Sequence, residues 1–403
     1  MTERQYDVIV VGARCAGSPT AMLLARKGYD VLLVDRTTFP SDTVSTHVVH
    51  PSGVAALERW GLLDAVTASG CPPIDTYAFD FGPFTIAGAP GTPESPFAYC
   101  PRRTVLDQVL VEGAAQAGAE VRQGFGVDEV LVEDGRVTGI CGKSEGGAEV
   151  TERAKVVVGA DGLKSFVARS VQAEQYNEGP RLLCGYYSYW SDLPMDGRFE
   201  VYDRDDRGWA AAPTNDGLTM LVGGWPFAQM EANKSDIEGN YLKMFERDPA
   251  FAERLSGATQ ETRVVGTAVP NFFRKPFGPG WGLVGDAGYN RDFITAMGIS
   301  DAFRDAELCT TAIDESLSGA RDFDEAMAAY QSTRDEQVLP VYGFTQQIAS
   351  MEPPPPELQQ LLAAVHGNQE AMDGFARVNA GTTSPTEFFS EENVGRIFAA
   401  AQS

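Results

Sequence analysis

Histidine, paired cysteine and long apolar runs are scarce or missing in this 403-residue chain. Only 3 histidines occur, His47, His50 and His366, and no further His or Cys lies near the first two in sequence, so no metal site is expected. The 6 cysteines (Cys15, Cys71, Cys100, Cys141, Cys184 and Cys309) are scattered and form no C-x-x-C pair. That suits a reducing cytoplasm and removes dithiol redox chemistry from the candidate activities. No stretch approaches the roughly 18 apolar residues of a spanning helix, and the amino terminus runs straight into a strand pattern. Neither a membrane span nor a secretory signal is expected. Basic residues are outnumbered, 32 against 56 acidic, and the net charge of −24 repels nucleic-acid phosphates and anionic lipid alike. The expectation is a cytoplasmic protein without nucleic-acid or membrane partners, working as a monomer or homodimer.

What is present alternates between two rhythms. Tyr6 to Val11 is an apolar run of strand length, a helical segment follows through Lys27, and Gly28 closes it. Val31 to Val34 is a second buried strand ending in Asp35, which completes a β-α-β unit. Helices are predicted from Pro51 to Leu63, with Pro at the start, and from Arg103 to Ala117, with Gly118 beyond. Residues 126 to 158 read as a small meander with a hairpin turn at Glu133-Asp134-Gly135-Arg136, and Val156 to Val158 as a short buried strand. Residues 72–98 and 178–266 instead show the aromatic alternation of an antiparallel sheet, as in Tyr186-Tyr187-Ser188-Tyr189-Trp190. The fold class expected is therefore α/β: a Rossmann-like domain (1–71, 99–177 and 267–350), an inserted β-rich substrate domain (72–98 and 178–266) and a helical carboxy-terminal segment (351–403) beyond the tract Pro353 to Pro356.

Four motifs carry chemistry. Gly12-Ala13-Arg14-Cys15-Ala16-Gly17 occupies a G-x-G-x-x-G position between a strand and a helix. Its first Gly permits the tight turn, its last permits close packing of helix on strand, and Asp35 is placed for ribose hydroxyls. Arg14 replaces the middle Gly, so its side chain must turn aside or engage phosphate. Arg103, with Arg102 beside it, starts an amphipathic helix, where a cation is unfavourable unless an anion compensates. Gly159-Ala160-Asp161-Gly162 sits at a strand end, where Gly takes a backbone conformation closed to other residues. In the stretch from Gly280 to Glu307 a buried strand ends in Gly285-Asp286 and Met297-Gly298-Ile299 opens a long helix. That geometry lets one carboxylate accept hydrogen bonds from a polyol while the free helix amides are presented to an anionic or electron-rich ring edge. FAD is the ligand with those two parts.

In this order the motifs resemble the FAD-binding fold of the para-hydroxybenzoate-hydroxylase-like flavoproteins, which include aromatic monooxygenases, geranylgeranyl-reductase-like enzymes and flavin-dependent halogenases. The resemblance covers residues 12 to 299. It implies an FAD site built from Gly12, Ala13, Arg14, Cys15, Ala16, Gly17, Asp35, Arg36, Arg103, Val127, Asp161, Gly162, Gly285, Asp286, Gly298 and Ile299. Asp286 would meet the ribityl chain, and the Gly298 and Ile299 amides the pyrimidine edge. With one dinucleotide fingerprint, NAD(P)H would bind transiently. The main expectation is an NAD(P)H-driven monooxygenase that hydroxylates a small aromatic or polyketide-like substrate with dioxygen through a flavin hydroperoxide.

Tyr187, Tyr189, Tyr202, Trp209, Pro213, Met220 and Phe293 are candidate substrate-pocket residues, although aromatics in a sheet are core by default. His47 is the candidate catalytic residue, because this stretch runs beside the flavin in the resembled fold. Phe293 stands where members usually carry Pro, and Met297 where many carry Gln. No W-x-W-x-I-P segment occurs, which argues against tryptophan halogenation. Two alternatives are a geranylgeranyl-reductase-like ene reductase, faintly suggested by Trp209-Ala210-Ala211-Ala212-Pro213, and a flavin-binding protein without catalysis, suggested by the departures at Arg14, Phe293 and Met297.

Overall fold

The computed structural model describes residues 4–144 and 146–402. The chain opens with β1 (Gln5–Val11), α1 (Gly17–Arg26) and β2 (Val31–Val34), and Gly28 takes φ +91° to turn between helix and strand. α2 (Pro51–Arg59) is shorter than the sequence pattern suggests, because Gly61 at φ +72° breaks the helix and a second one starts at Leu63. Then come β3 (Thr76–Asp80), β4 (Thr85–Gly88), α3 (Arg103–Gln116) and β5 (Glu120–Arg122). The hairpin of β6 (Gly126–Glu133) and β7 (Arg136–Lys143) turns through Asp134 and Gly135, both with positive φ as a tight two-residue turn requires.

β8 (Glu149–Gly159) is much longer than the three residues expected, because its first half pairs antiparallel with β7 and its second half parallel with β1. Beyond it lie β9 (Leu183–Ser191), β10 (Arg198–Arg204), β11 (Arg207–Pro213), β12 (Thr219–Pro226), α4 (Ile237–Phe245) and α5 (Pro249–Ser256). β13 (Trp281–Leu283), α6 (Gly298–Leu317) and α7 (Phe323–Ala349) follow, and four helices occupy most of 356–401.

Two sheets organise these elements. In the first, β13, β8, β1, β2 and β5 lie side by side in that order and all run parallel. Their Val- and Leu-rich runs are buried because helices α1, α3 and α6 cover one face and the β6–β7 hairpin, with the short helix Phe166–Ser170, covers the other. Parallel strands share one carboxyl edge. The segments after Val11, Val34, Gly159 and Leu283, far apart in sequence, therefore emerge into one crevice.

The second sheet runs β9, β12, β11, β10, β3, β4, antiparallel except where β10 meets β3. It draws strands from both 72–98 and 178–266. Alternation splits its aromatics between two faces. Tyr186, Trp190, Tyr202, Trp209 and Trp225 pack on Tyr241, Phe245 and Phe251 of α4 and α5. Tyr187, Tyr189, Met220 and Phe199 lie on the other face with Leu361, Val365, Phe375 and Phe388 of the carboxy-terminal helices. Arg334 of α7, fully buried, donates to Tyr176 Oη (2.7 Å), Asp335 (2.8 Å) and the Arg274 carbonyl (3.2 Å). A buried cation needs such complete pairing, and here it anchors α7 against the strand beside the crevice.

Candidate active site

Between the carboxyl edge of the parallel sheet and the second sheet lies a cavity of about 1130 Å³. That is more than the roughly 300 to 1,000 Å³ of ordinary ligand sites, and an extended dinucleotide leaves room for a second molecule. The turn after β1 could not be built from other residues. Gly12 has φ +104°, and a Cβ there would sit 2.4 Å from the Ala160 carbonyl oxygen; at Gly17 it would sit 1.7 Å from the Gly12 carbonyl oxygen. Asp35 closes the turn by accepting from the Ala13 and Thr37 amides, both at 2.7 Å, while its side chain borders the cavity.

Arg14 turns aside. Its guanidinium pairs with Asp107 and donates to the Ser41 and Asp42 carbonyls, both at 3.3 Å. Arg103 donates to the same carboxylate at 2.9 and 3.1 Å, so the fully buried Asp107 serves two arginines. Asp107 was missed in the sequence, although it lies four residues from Arg103 on one helix face, the spacing of an ion pair. Asp161 accepts from Ser165 Oγ and the Phe166 amide, both at 2.5 Å, and so holds the short helix Phe166–Ser170. Gly162 next to it has φ +77° and an open Cβ direction. Arg36 and Val127 line the same end of the cavity.

At the other end, Asp286 is the one exposed side chain in the buried run from Trp281 to Asn290, and it opens into the cavity. Enclosure by protein pushes its carboxyl up to about 6, with Arg103 opposing and Asp301 and Asp305 adding to the rise. Gly285 before it has φ +57° and faces Ala16, so the first and last motifs touch. Gly298 is exposed, with nothing within 4 Å of a would-be Cβ. The first turn of α6, whose amides have no partner within the helix, thus looks into open space beside Ile299.

The Arg291–Met297 segment between them is held from several sides. Asp292 accepts from the Leu183 amide (3.2 Å) and the Ile294 amide (3.1 Å), and Ala296 takes φ +53°. His50 Nε2 donates to the Thr295 carbonyl (3.0 Å), which leaves Nδ1 to accept from Tyr77 Oη (2.7 Å). Phe293 borders the cavity and its ring meets β9 at Gly185, where a Cβ would lie 2.4 Å from Cζ.

The remaining candidates fall into three places. Tyr187 borders the cavity together with Val222, Thr267 and Val269, which the sequence did not single out. Tyr189 and Met220 share that face but sit behind it. Tyr202 and Trp209 stack on each other at 5.1 Å on the opposite face, and Pro213 ends β11 away from the cavity. His47 is fully buried behind the wall, with Nε2 2.7 Å from Tyr189 Oη and its pKa pushed down to about 3, chiefly by burial. It is neutral at physiological pH and outside the cavity lining. His47 and His50 engage different elements, and no metal-ligating cluster occurs among the described residues.

The family model for the FAD binding domain matches residues 5–339. This chain belongs to that family. The digeranylgeranylglycerophospholipid reductase of Methanocella arvoryzae is 30% identical over 351 residues, 81% of this chain and 82% of the relative. Among solved structures, a flavoprotein/dehydrogenase from Cytophaga hutchinsonii superposes with a TM-score of 0.83 at 18% identity, covering 99% of each chain. The myxobacterial chondrochloren halogenase CndH superposes at 0.80 and 22%, covering 99% of this chain and 97% of its own. These likenesses show the fold. The protein is an FAD-dependent oxidoreductase, and the cavity suits that cofactor: a side-chain-free turn at Gly12, a carboxylate at Asp286 with no hydrogen bond among the described residues, and an open helix start at Gly298. No described helix is long and apolar enough to cross a membrane.

Proposed function

We propose that this oxidoreductase saturates a carbon-carbon double bond in a small apolar substrate, with NAD(P)H as the reductant. The observation that carries the reading is the similarity to a prenyl-lipid reductase along four fifths of both chains. The flavin would lie with its dinucleotide end at Gly12, Asp35, Arg36, Val127 and Gly162, its ribityl chain at Asp286 and its pyrimidine edge at Gly298 and Ile299; Ala13, expected there from the sequence, is buried behind the turn. Bound there, it supplies hydride transfer. Val44, Gly185, Tyr187, Val222, Val269 and Phe293 give the substrate compartment a mainly apolar wall, against which a bound substrate would be shielded from water. Tyr187 is the phenol on that wall, and burial pushes its pKa up to about 12, so it keeps its proton at neutral pH and is the candidate donor. His47, neutral and hydrogen-bonded to Tyr189 behind Tyr187, supports the wall.

The second reading is a monooxygenase acting on an aromatic or polyketide-like substrate with dioxygen. The same mainly apolar wall, with Tyr187 and Phe293 on it, supports that reading. Both are decided by supplying NAD(P)H and a panel of prenyl and phenolic compounds with and without dioxygen. Products that gain two hydrogens, formed equally well without dioxygen, are expected. An oxygen atom in the product, with matching dioxygen uptake, would overturn the reductase reading in favour of the second.

A further inference from the structure

We infer that Arg14 is a positioning residue for the substrate wall, fastening the cavity-lining segment 41–46 to α3, and is not a ligand of the dinucleotide. Arg14 stands at the fingerprint position where glycine lets a pyrophosphate approach the backbone. Its guanidinium is already engaged. Besides the carboxylate of Asp107, it reaches the Ser41 carbonyl (3.3 Å), Ser41 Oγ (3.2 Å) and the Asp42 carbonyl (3.3 Å), and it lies 5.3 Å from the centre of the Phe39 ring. Every partner except Asp107 therefore belongs to residues 39–42.

That segment continues as Thr43 to Thr46 along the cavity with no helix or strand to hold it. Val44 is 46% exposed despite being apolar, and it borders the cavity. The Thr43 carbonyl lies 3.5 Å from Tyr187 Oη, on the roof. At the far end the chain turns through His47 at φ +63°, with the ring buried on Tyr189. The wall is thus pinned by side chains at both ends: to the roof through His47 and to the dinucleotide-binding half through Arg14.

Asp107 keeps a charged partner when Arg14 is removed. Arg103 contacts both of its oxygens, so loss of Arg14 leaves no unpaired buried charge. What is lost is the attachment of residues 41 and 42. The role of that wall in substrate selection rests on the proposed function, whereas the fastening itself does not.

The test compares Arg14→Gly and Arg14→Lys with the native protein, by FAD titration of the apoprotein and by amide hydrogen exchange of the FAD-loaded protein. For Arg14→Gly the FAD dissociation constant should stay within about threefold, well under the 1.4 kcal/mol of a tenfold change. Exchange in 41–46 should accelerate about tenfold or more as local opening becomes easier. Arg14→Lys, which keeps one charge but not the fork of donors, should fall between and serves as the readout if the glycine variant does not fold. A tenfold loss of FAD affinity, with or without faster exchange, would overturn the inference, and so would unchanged exchange. If the native protein reduces no double bond, the function above fails while the exchange result still stands or falls by itself.

Discussion

Asp286 opens between the cavity walls, and no hydrogen bond to its carboxylate occurs among the described residues. Its pKa of about 6 lies above the ordinary 3.8, so the folded state without cofactor binds a proton that the unfolded chain has lost between those values. Stability of the apoprotein therefore falls, on this group's account, as pH rises from about 4 to 6, and the full cost is present above 6. Asp286→Asn should raise the melting temperature of the apoprotein at pH 7.5, and the gain should vanish below about pH 4. The same variant should bind FAD at least about tenfold more weakly, for want of a charged acceptor. Equal melting temperatures at pH 7.5, or native FAD affinity, would refute the role. Gly12→Val should do worse, since it meets the Ala160 carbonyl and an adverse φ together: about 3 kcal/mol or more lost in denaturant unfolding, and no flavin retained.

At the scale of elements, the Arg291–Met297 segment meets β9 twice, through Asp292 on the Leu183 amide and through the Phe293 ring on Gly185. Gly185→Ala should force the Phe293 ring aside and destabilise the protein by about 1 to 3 kcal/mol. Phe293→Leu in the same chain should restore much of that, leaving a coupling of about 0.5 to 3 kcal/mol in a double-mutant cycle. Additive effects would show that the ring has other room.

The same elements show what a sequence discloses. β1, β2, α1 and the Asp134-Gly135 hairpin were legible because their signals are local: buried runs, a closing glycine, a turn pair. The alternation in β9, β10 and β12 was legible too, but not which face meets the cavity, since that depends on what packs behind. Tyr187 thus lines the site while Tyr202 and Trp209 stack under α4 and α5. Segment 41–46 gave no local signal of helix or strand, being a short, mainly polar run around Val44 whose position comes from Arg14 and His47.

Across the whole molecule, the carboxy-terminal helices complete a face that the second sheet cannot cover alone. Leu361, Val365, Phe375 and Phe388 are buried with Ile86, Phe79 and Tyr187, and a Cβ at Gly88 would lie 2.4 Å from the Met372 carbonyl oxygen. A chain ending at residue 350 should expose that apolar surface, bind a hydrophobic dye and elute as aggregate in size-exclusion chromatography. A monodisperse, cooperatively melting fragment would show that the face tolerates water.

The parallel strands that bring residues 12, 161 and 286 to one edge have a consequence for anyone handling the protein. A single small molecule lying along that edge bridges three stretches that are distant in the chain, so it acts as a removable cross-link. Melting temperature should then report the concentration of free FAD as much as the sequence, with about 2.7 kcal/mol gained at a hundredfold excess over the dissociation constant. Two preparations of identical sequence will differ in apparent robustness by how much flavin each has kept.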